Sequence, residues 1–123
     1  MSTHEYQVIA PYKEAATLPD ADIERMTFKQ CMEKALEMGL QRFGDRKILA
    51  KKCDIHYPHF SEYMAANRKL DRHRLFLFCM FTACDYPQQW LKLAEEKARA
   101  EYKRQTAQMI GEYVQQAMGR MAA

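Results

Sequence analysis

Glycine and proline are scarce, four of each in 123 residues, while Ala, Leu, Met, Glu, Lys, Arg and Gln are plentiful. A fold with many tight turns needs glycine and proline for unusual or fixed φ, so their scarcity argues against a many-stranded sheet and for an all-α class. No apolar run reaches the roughly 18 to 20 residues of a membrane span. The opening "MSTHEYQVIAPYKEAAT" lacks the basic and apolar regions of a secretory signal, so a cytoplasmic protein without a membrane partner is expected. Cys31, Cys53, Cys79 and Cys84 form no CxxC pair and sit in apolar contexts, which predicts reduced, buried thiols rather than a disulfide framework. Cys53-x-x-His56-x-x-His59 has half of a zinc-site spacing and no partnering pair, so no metal is expected. A glycine-rich phosphate loop is also lacking and no catalytic set emerges. Neither enzyme activity nor a cofactor is expected, and no small-molecule ligand is evident.

What the chain does have is positive charge in one place. Residues 1–41 carry four basic and seven acidic side chains, residues 42–74 carry nine and four, and residues 75–123 carry six and five. Three of the four histidines, His56, His59 and His73, fall in the basic middle segment. Such a segment suits a polyanionic partner, although a small basic surface also occurs in proteins that bind none.

Helical periods dominate from Thr27 onward. Thr27 and Gln30 have capping-box spacing, and Met26 with Cys31 has that of a hydrophobic staple. Phe28, Cys31, Met32, Ala35, Leu36, Leu40 and Phe43 then recur every three or four residues up to Gly44, predicting a first helix. Asp45 can cap a short second helix with Ile48, Leu49, Ala50 and Cys53 as its apolar side. Pro58 fits only a first helical turn, so a third helix should begin near His56 or Tyr57 and bury Phe60, Tyr63 and Met64. "ANRKLDRHR" reads as a polar connection, and Leu75, Phe78, Cys79, Phe81 and Thr82 mark a fourth helix. "CDYP" opens a fifth, with Asp85 or Tyr86 as cap, and no breaker follows Trp90 before Gly111. Residues 1–26 show no sustained period, and "YQVIA" reads equally as a short strand, a docking arm or disorder. The expected division is an arm over 1–26, a domain over 27–91 and a helical extension over 92–123.

The stretch "DRKILAKKCDIHYPHFSEYMAANRK" holds two short helices joined by about four residues. Ala50 is small enough for a close helix crossing, Asp54 stands four positions later where the turn needs a left-handed residue, and Ile55 and Phe60 can plug the core between the helices. This stretch resembles the lambda-repressor-like (Cro/C1-type) helix-turn-helix family. The likeness continues in "AANRKLDRHRL", where Ala66, Asn67, Arg68, Lys69, Leu70 and Leu75 hold the places of that family's glycine, basic pair, proline and leucine. It ends in "CDYPQQWL", whose Trp90 and Leu91 resemble its closing aromatic-leucine pair. Asp54, Ala66 and Leu70 depart from the family's usual Gly, Gly and Pro.

The resemblance implies a five-helix DNA-binding domain over residues 27–91 whose partner is double-stranded DNA. It puts base reading on His56, Tyr57, Pro58, His59, Ser61 and Glu62 in the first turns of the recognition helix, which project away from the buried face. Arg46, Lys47, Arg68, Lys69, Arg72 and Arg74 flank that surface as phosphate clamps. Taken alone, His-Tyr-Pro-His would be an ordinary helix start; within the motif it is read as the base-reading edge. Beyond it, Tyr102, Thr106, Met109, Ile110, Tyr113, Val114, Ala117 and Met121 form an apolar stripe on a helix that outruns the family's usual end. The stripe either folds back on the core or holds a second copy; because such readers bind paired half-sites, homodimerisation through it is the expectation. The implied function is a sequence-specific transcription regulator, a repressor of phage or mobile-element type. The alternative is a helical protein-interaction module such as an adaptor or the antitoxin of a toxin pair.

Overall fold

The computed structural model describes residues 10–122. Among them the regular structure is all-helical, with six α-helices and one 3-10 turn: α1 (Asp20–Glu24), α2 (Phe28–Phe43), α3 (Arg46–Lys52), the turn Tyr57–His59, α4 (Phe60–Met64), α5 (Arg72–Thr82) and α6 (Tyr86–Ala122). The chain falls into two compact units that divide between Leu91 and Lys92.

In the first unit, α2 is the central element. Both halves of its capping box form: the Thr27 hydroxyl accepts from the Gln30 N–H at 3.1 Å, and the Gln30 side chain accepts from the Thr27 N–H at 2.9 Å. Gly44, at φ 75°, ends the helix in the left-handed conformation. α2 buries Cys31, Met32, Ala35, Leu36, Gly39 and Phe43, and the core continues through Leu49, Phe60, Met64, Leu75 and Phe78 of the helices around it. Gly39 is where this packing is closest. A Cβ there would lie 2.6 Å from Thr82 Cγ2 on α5 and 2.9 Å from Leu49 Cδ2 on α3, so only glycine lets α2 approach both.

α3 follows at once because the Asp45 carboxylate accepts from the Lys47 N–H at 2.8 Å. The third predicted helix begins differently from the expectation. Pro58 has no N–H to give, and the His59 N–H reaches the His56 carbonyl at 3.0 Å, so the chain makes a 3-10 turn before α4. α5 starts inside the predicted polar connection, because Asp71 Oδ1 caps the Arg74 N–H at 2.7 Å. Gly111, a candidate breaker, lies within α6.

The expected arm is largely part of the first unit. Pro19 followed by Asp20 and Asp22 starts α1, and its Ile23 is fully buried. Ala16 pairs with the chain after α5, its N–H donating to the Ala83 carbonyl at 2.8 Å while its own carbonyl accepts from Asp85 at 2.9 Å. The Gln89 side-chain amide brackets the Leu18 backbone with bonds of 3.1 and 2.7 Å, and Trp90 Nε1 donates to the Met26 carbonyl at 3.0 Å. Of "YQVIA", only Ala10 lies within the described residues. The four cysteines are free and buried. Burial pushes the Cys53 thiol up to about 12, and desolvation raises Cys31 and Cys84 to about 11.

Among the described residues no helix is long and apolar enough to cross a membrane.

Candidate nucleic-acid interface

The segment from α3 to α4 is built on two local decisions. After Lys52 the chain turns through Asp54 at φ 58°, a left-handed conformation that Asp adopts more readily than most residues. The turn delivers Ile55, 6% exposed, and Phe60, 1% exposed, into the core beside Ala50. With those side chains inward, His56, Tyr57, Pro58, Ser61 and Glu62 are exposed and His59 is half-buried. The six expected base-reading residues therefore occupy one short surface segment.

Their immediate contacts are specific. The His56 and His59 rings meet edge to face at 4.9 Å between centroids. The Tyr57 ring tilts against Phe60 and lies under Lys47 Nζ, 5.6 Å from its centroid, which joins the start of α3 to the 3-10 turn before α4. Glu62 Oε2 accepts from Arg68 Nε at 3.0 Å, and the Arg68 guanidinium also lies 5.9 Å over the Tyr63 ring. A base-reading candidate and a phosphate candidate are thus paired with each other in the free chain. Both are exposed, and ion pairs of that kind contribute about 0 to 1 kcal/mol, so the pair can exchange partners cheaply.

The basic residues divide into two sets. Arg46, Lys47 and Lys69 are exposed around the segment, and Arg72 is exposed at the first position of α5. Arg74 is engaged within the fold. Its Nε donates to the Asp54 carbonyl at 2.7 Å, Nη2 reaches Asp54 Oδ2 at 3.4 Å, and Nη1 pairs with Asp71 Oδ2. Arg74 consequently ties the left-handed turn to the start of α5. The Arg74 backbone N–H, with the guanidinium behind it, holds the Asp71 carboxyl below the usual carboxylate range. Lys51 and Lys52 were missed as site candidates; with Lys47 and Ile48 they line an open cleft of about 490 Å³ on α3. Their signal was in the sequence, since Lys47 and Lys51 stand four apart on one helix face.

Ala66, in the place of the resembled family's glycine, has φ 60°, the left-handed region that glycine would occupy without strain. Among the described residues no group of His, Cys, Asp or Glu could hold a metal ion.

The second unit consists of the helical residues from Lys92 onward. Tyr102, Met109, Ile110, Tyr113, Val114 and Met121 are exposed on it and Ala117 is half-buried. At 100° per residue these side chains share an arc of roughly 140°. Met118, 63% exposed, borders that arc and was not among the expected residues. Thr106 is half-buried and returns its hydroxyl to the Tyr102 carbonyl at 2.9 Å.

No protein-family model, curated protein or solved structure matches the chain.

Proposed function

We propose that this chain is a sequence-specific DNA-binding transcription regulator of the lambda-repressor-like type that occupies its operator as a homodimer and represses by occupancy. The observation that carries the reading is the α3–α4 segment: two short helices joined through a left-handed Asp54, with Ile55 and Phe60 inward and His56, Tyr57, Pro58, Ser61 and Glu62 outward beside a basic α3. On this reading the 3-10 turn Tyr57–His59 and the first turn of α4 enter the major groove. Tyr57 and His59 both donate and accept, Pro58 offers an apolar contact to a thymine methyl, and Glu62 accepts from a cytosine amino group once Arg68 turns to a phosphate. Arg46, Lys47, Lys51, Lys52, Lys69 and Arg72 supply positive charge along the backbone, where contacts set register without reading sequence. The exposed face from Tyr102 to Met121 joins two copies and so two half-sites.

Selection from a random duplex pool by gel shift tests the proposal. Enrichment of one motif, with a two-fold repeat of half-sites, is the expected result. A pool that stays random over successive rounds refutes DNA reading. It favours the second reading, a helical interaction module such as an adaptor or antitoxin, for which the same exposed apolar face on the second unit is the supporting observation.

A further inference from the structure

Among the described residues the first unit has an apolar groove of about 340 Å³ next to the end of α4. Its walls include Phe28 at the start of α2, Tyr63 on α4, Leu70 in the connection, and Trp90 and Leu91 at the start of α6, all of them half-buried. The Phe28 and Trp90 rings meet edge to face at 5.5 Å, so this wall is fixed. Trp90 is held further by its indole bond to the Met26 carbonyl. The size lies at the lower end of small-molecule sites, which run to roughly 300–1,000 Å³.

Charge in the lining is confined to Arg68 and Lys69. Both are exposed. Arg68 is balanced by Glu62 at 3.0 Å, whereas Lys69 has no ion-pair partner among the described residues, which leaves one net positive charge beside an apolar slot. The complement of an apolar slot with a cationic edge is an apolar body carrying one anionic head.

We infer that the groove between Phe28, Tyr63, Leu70 and Trp90 binds a small amphiphilic carboxylate, a medium-chain or aryl-alkyl acid whose head meets Lys69 and Arg68. The apolar body displaces water from the Phe28, Tyr63 and Trp90 rings, and the carboxylate neutralises the rim. This inference stands apart from DNA reading, since it concerns a groove formed by side chains outside the base-reading set. Where both hold, ligand and phosphate compete for Arg68 and Lys69.

Trp90 is the only tryptophan in the chain, so its emission reports on the groove directly. The experiment titrates octanoate, and in parallel the neutral octanamide, into the full-length protein while recording that emission. A saturable change with Kd on the order of 1 mM is expected for a ligand of this size. Octanamide should bind about three- to five-fold more weakly, the worth of one exposed ion pair. Lys69→Gln, an exposed substitution, should weaken octanoate by a similar factor and leave octanamide unchanged. A response that never saturates, equal affinities for acid and amide, or indifference of octanoate to Lys69→Gln would each overturn the inference. Because no DNA is present, failure here is separate from failure of the operator selection.

Discussion

Alanine at Gly39 places one methyl group between three helices, and its cost can be worked from the geometry. The new Cβ would lie 2.6 Å from Thr82 Cγ2, 3.3 Å from Thr82 Cβ and 2.9 Å from Leu49 Cδ2. Leu49 is fully buried, and Thr82 is pinned because its hydroxyl donates to the Phe78 carbonyl at 2.7 Å, so neither side chain has an easy way out. Forcing a methyl into such a site costs about 1–3 kcal/mol. Alanine recovers about 0.8–1.0 kcal/mol of helix propensity over glycine, leaving a net loss of about 1 kcal/mol for Gly39→Ala. Thr82→Ser removes the nearest methyl and keeps the hydroxyl bond. In the double variant the added Cβ occupies the space that Cγ2 leaves, so the two changes should couple favourably by about 1 kcal/mol. Urea unfolding followed by circular dichroism of the four proteins measures all of these values. If Gly39→Ala equals or exceeds the parent in stability, or if the two changes simply add, α2 does not rest on α3 and α5 as described.

On the DNA reading, affinity should fall steeply between 50 and 200 mM salt, by about 10³ to 10⁵ if a dimer neutralises six to ten phosphates, and a flat response would exclude the interface. Replacing Tyr57, His59 or Glu62 with Ala should alter base preference by about 1–3 kcal/mol at individual operator positions, whereas Lys47→Ala should weaken all sequences alike; operator-variant titrations distinguish the two, and the reverse pattern would rule out the docking geometry. Stopping the chain after Ala94 removes the exposed apolar face and should give a folded monomer that loses about 10² to 10⁴ in operator avidity; sedimentation showing a dimer would exclude the tail as the joining element. The buried thiols predict alkaline sensitivity. Cys53 rises from an ordinary 9.0 to about 12, so the folded chain retains a proton that the unfolded chain releases, and stability should be level below about pH 8 and decline from pH 9 toward pH 12. Urea midpoints across that range measure the decline, which Cys53→Ala should reduce.

The sequence by itself determined the features that close within about four residues. Thr27 with Gln30 and Asp45 with the Lys47 N–H are caps between near neighbours, and Gly44 ends α2 by its own backbone freedom. Asp54, at φ 58°, stands where the helix-turn-helix spacing places a left-handed residue, whereas the φ of 60° at Ala66 was not foreseen: the sequence showed only that alanine holds the place of the resembled family's glycine. The exposure of His56, Tyr57, Pro58, Ser61 and Glu62 follows from the apolar pattern, because burying Phe60 and Met64 turns their neighbours outward. Only the tertiary structure decided where distant segments meet. α1 is too short to announce itself by period, and it is held by fully buried Ile23. The Gln89 amide that brackets Leu18 joins residues 71 apart. Arg74 looked like one more cation in a basic run, yet it spends its guanidinium on Asp54, 20 residues away. Gly39 gives no sign in an otherwise regular helix that Thr82 will approach within a methyl's width. Caps and periods are set by neighbours along the chain, whereas burial and charge pairing are set by neighbours in space, which form only once α2, α3 and α5 have packed.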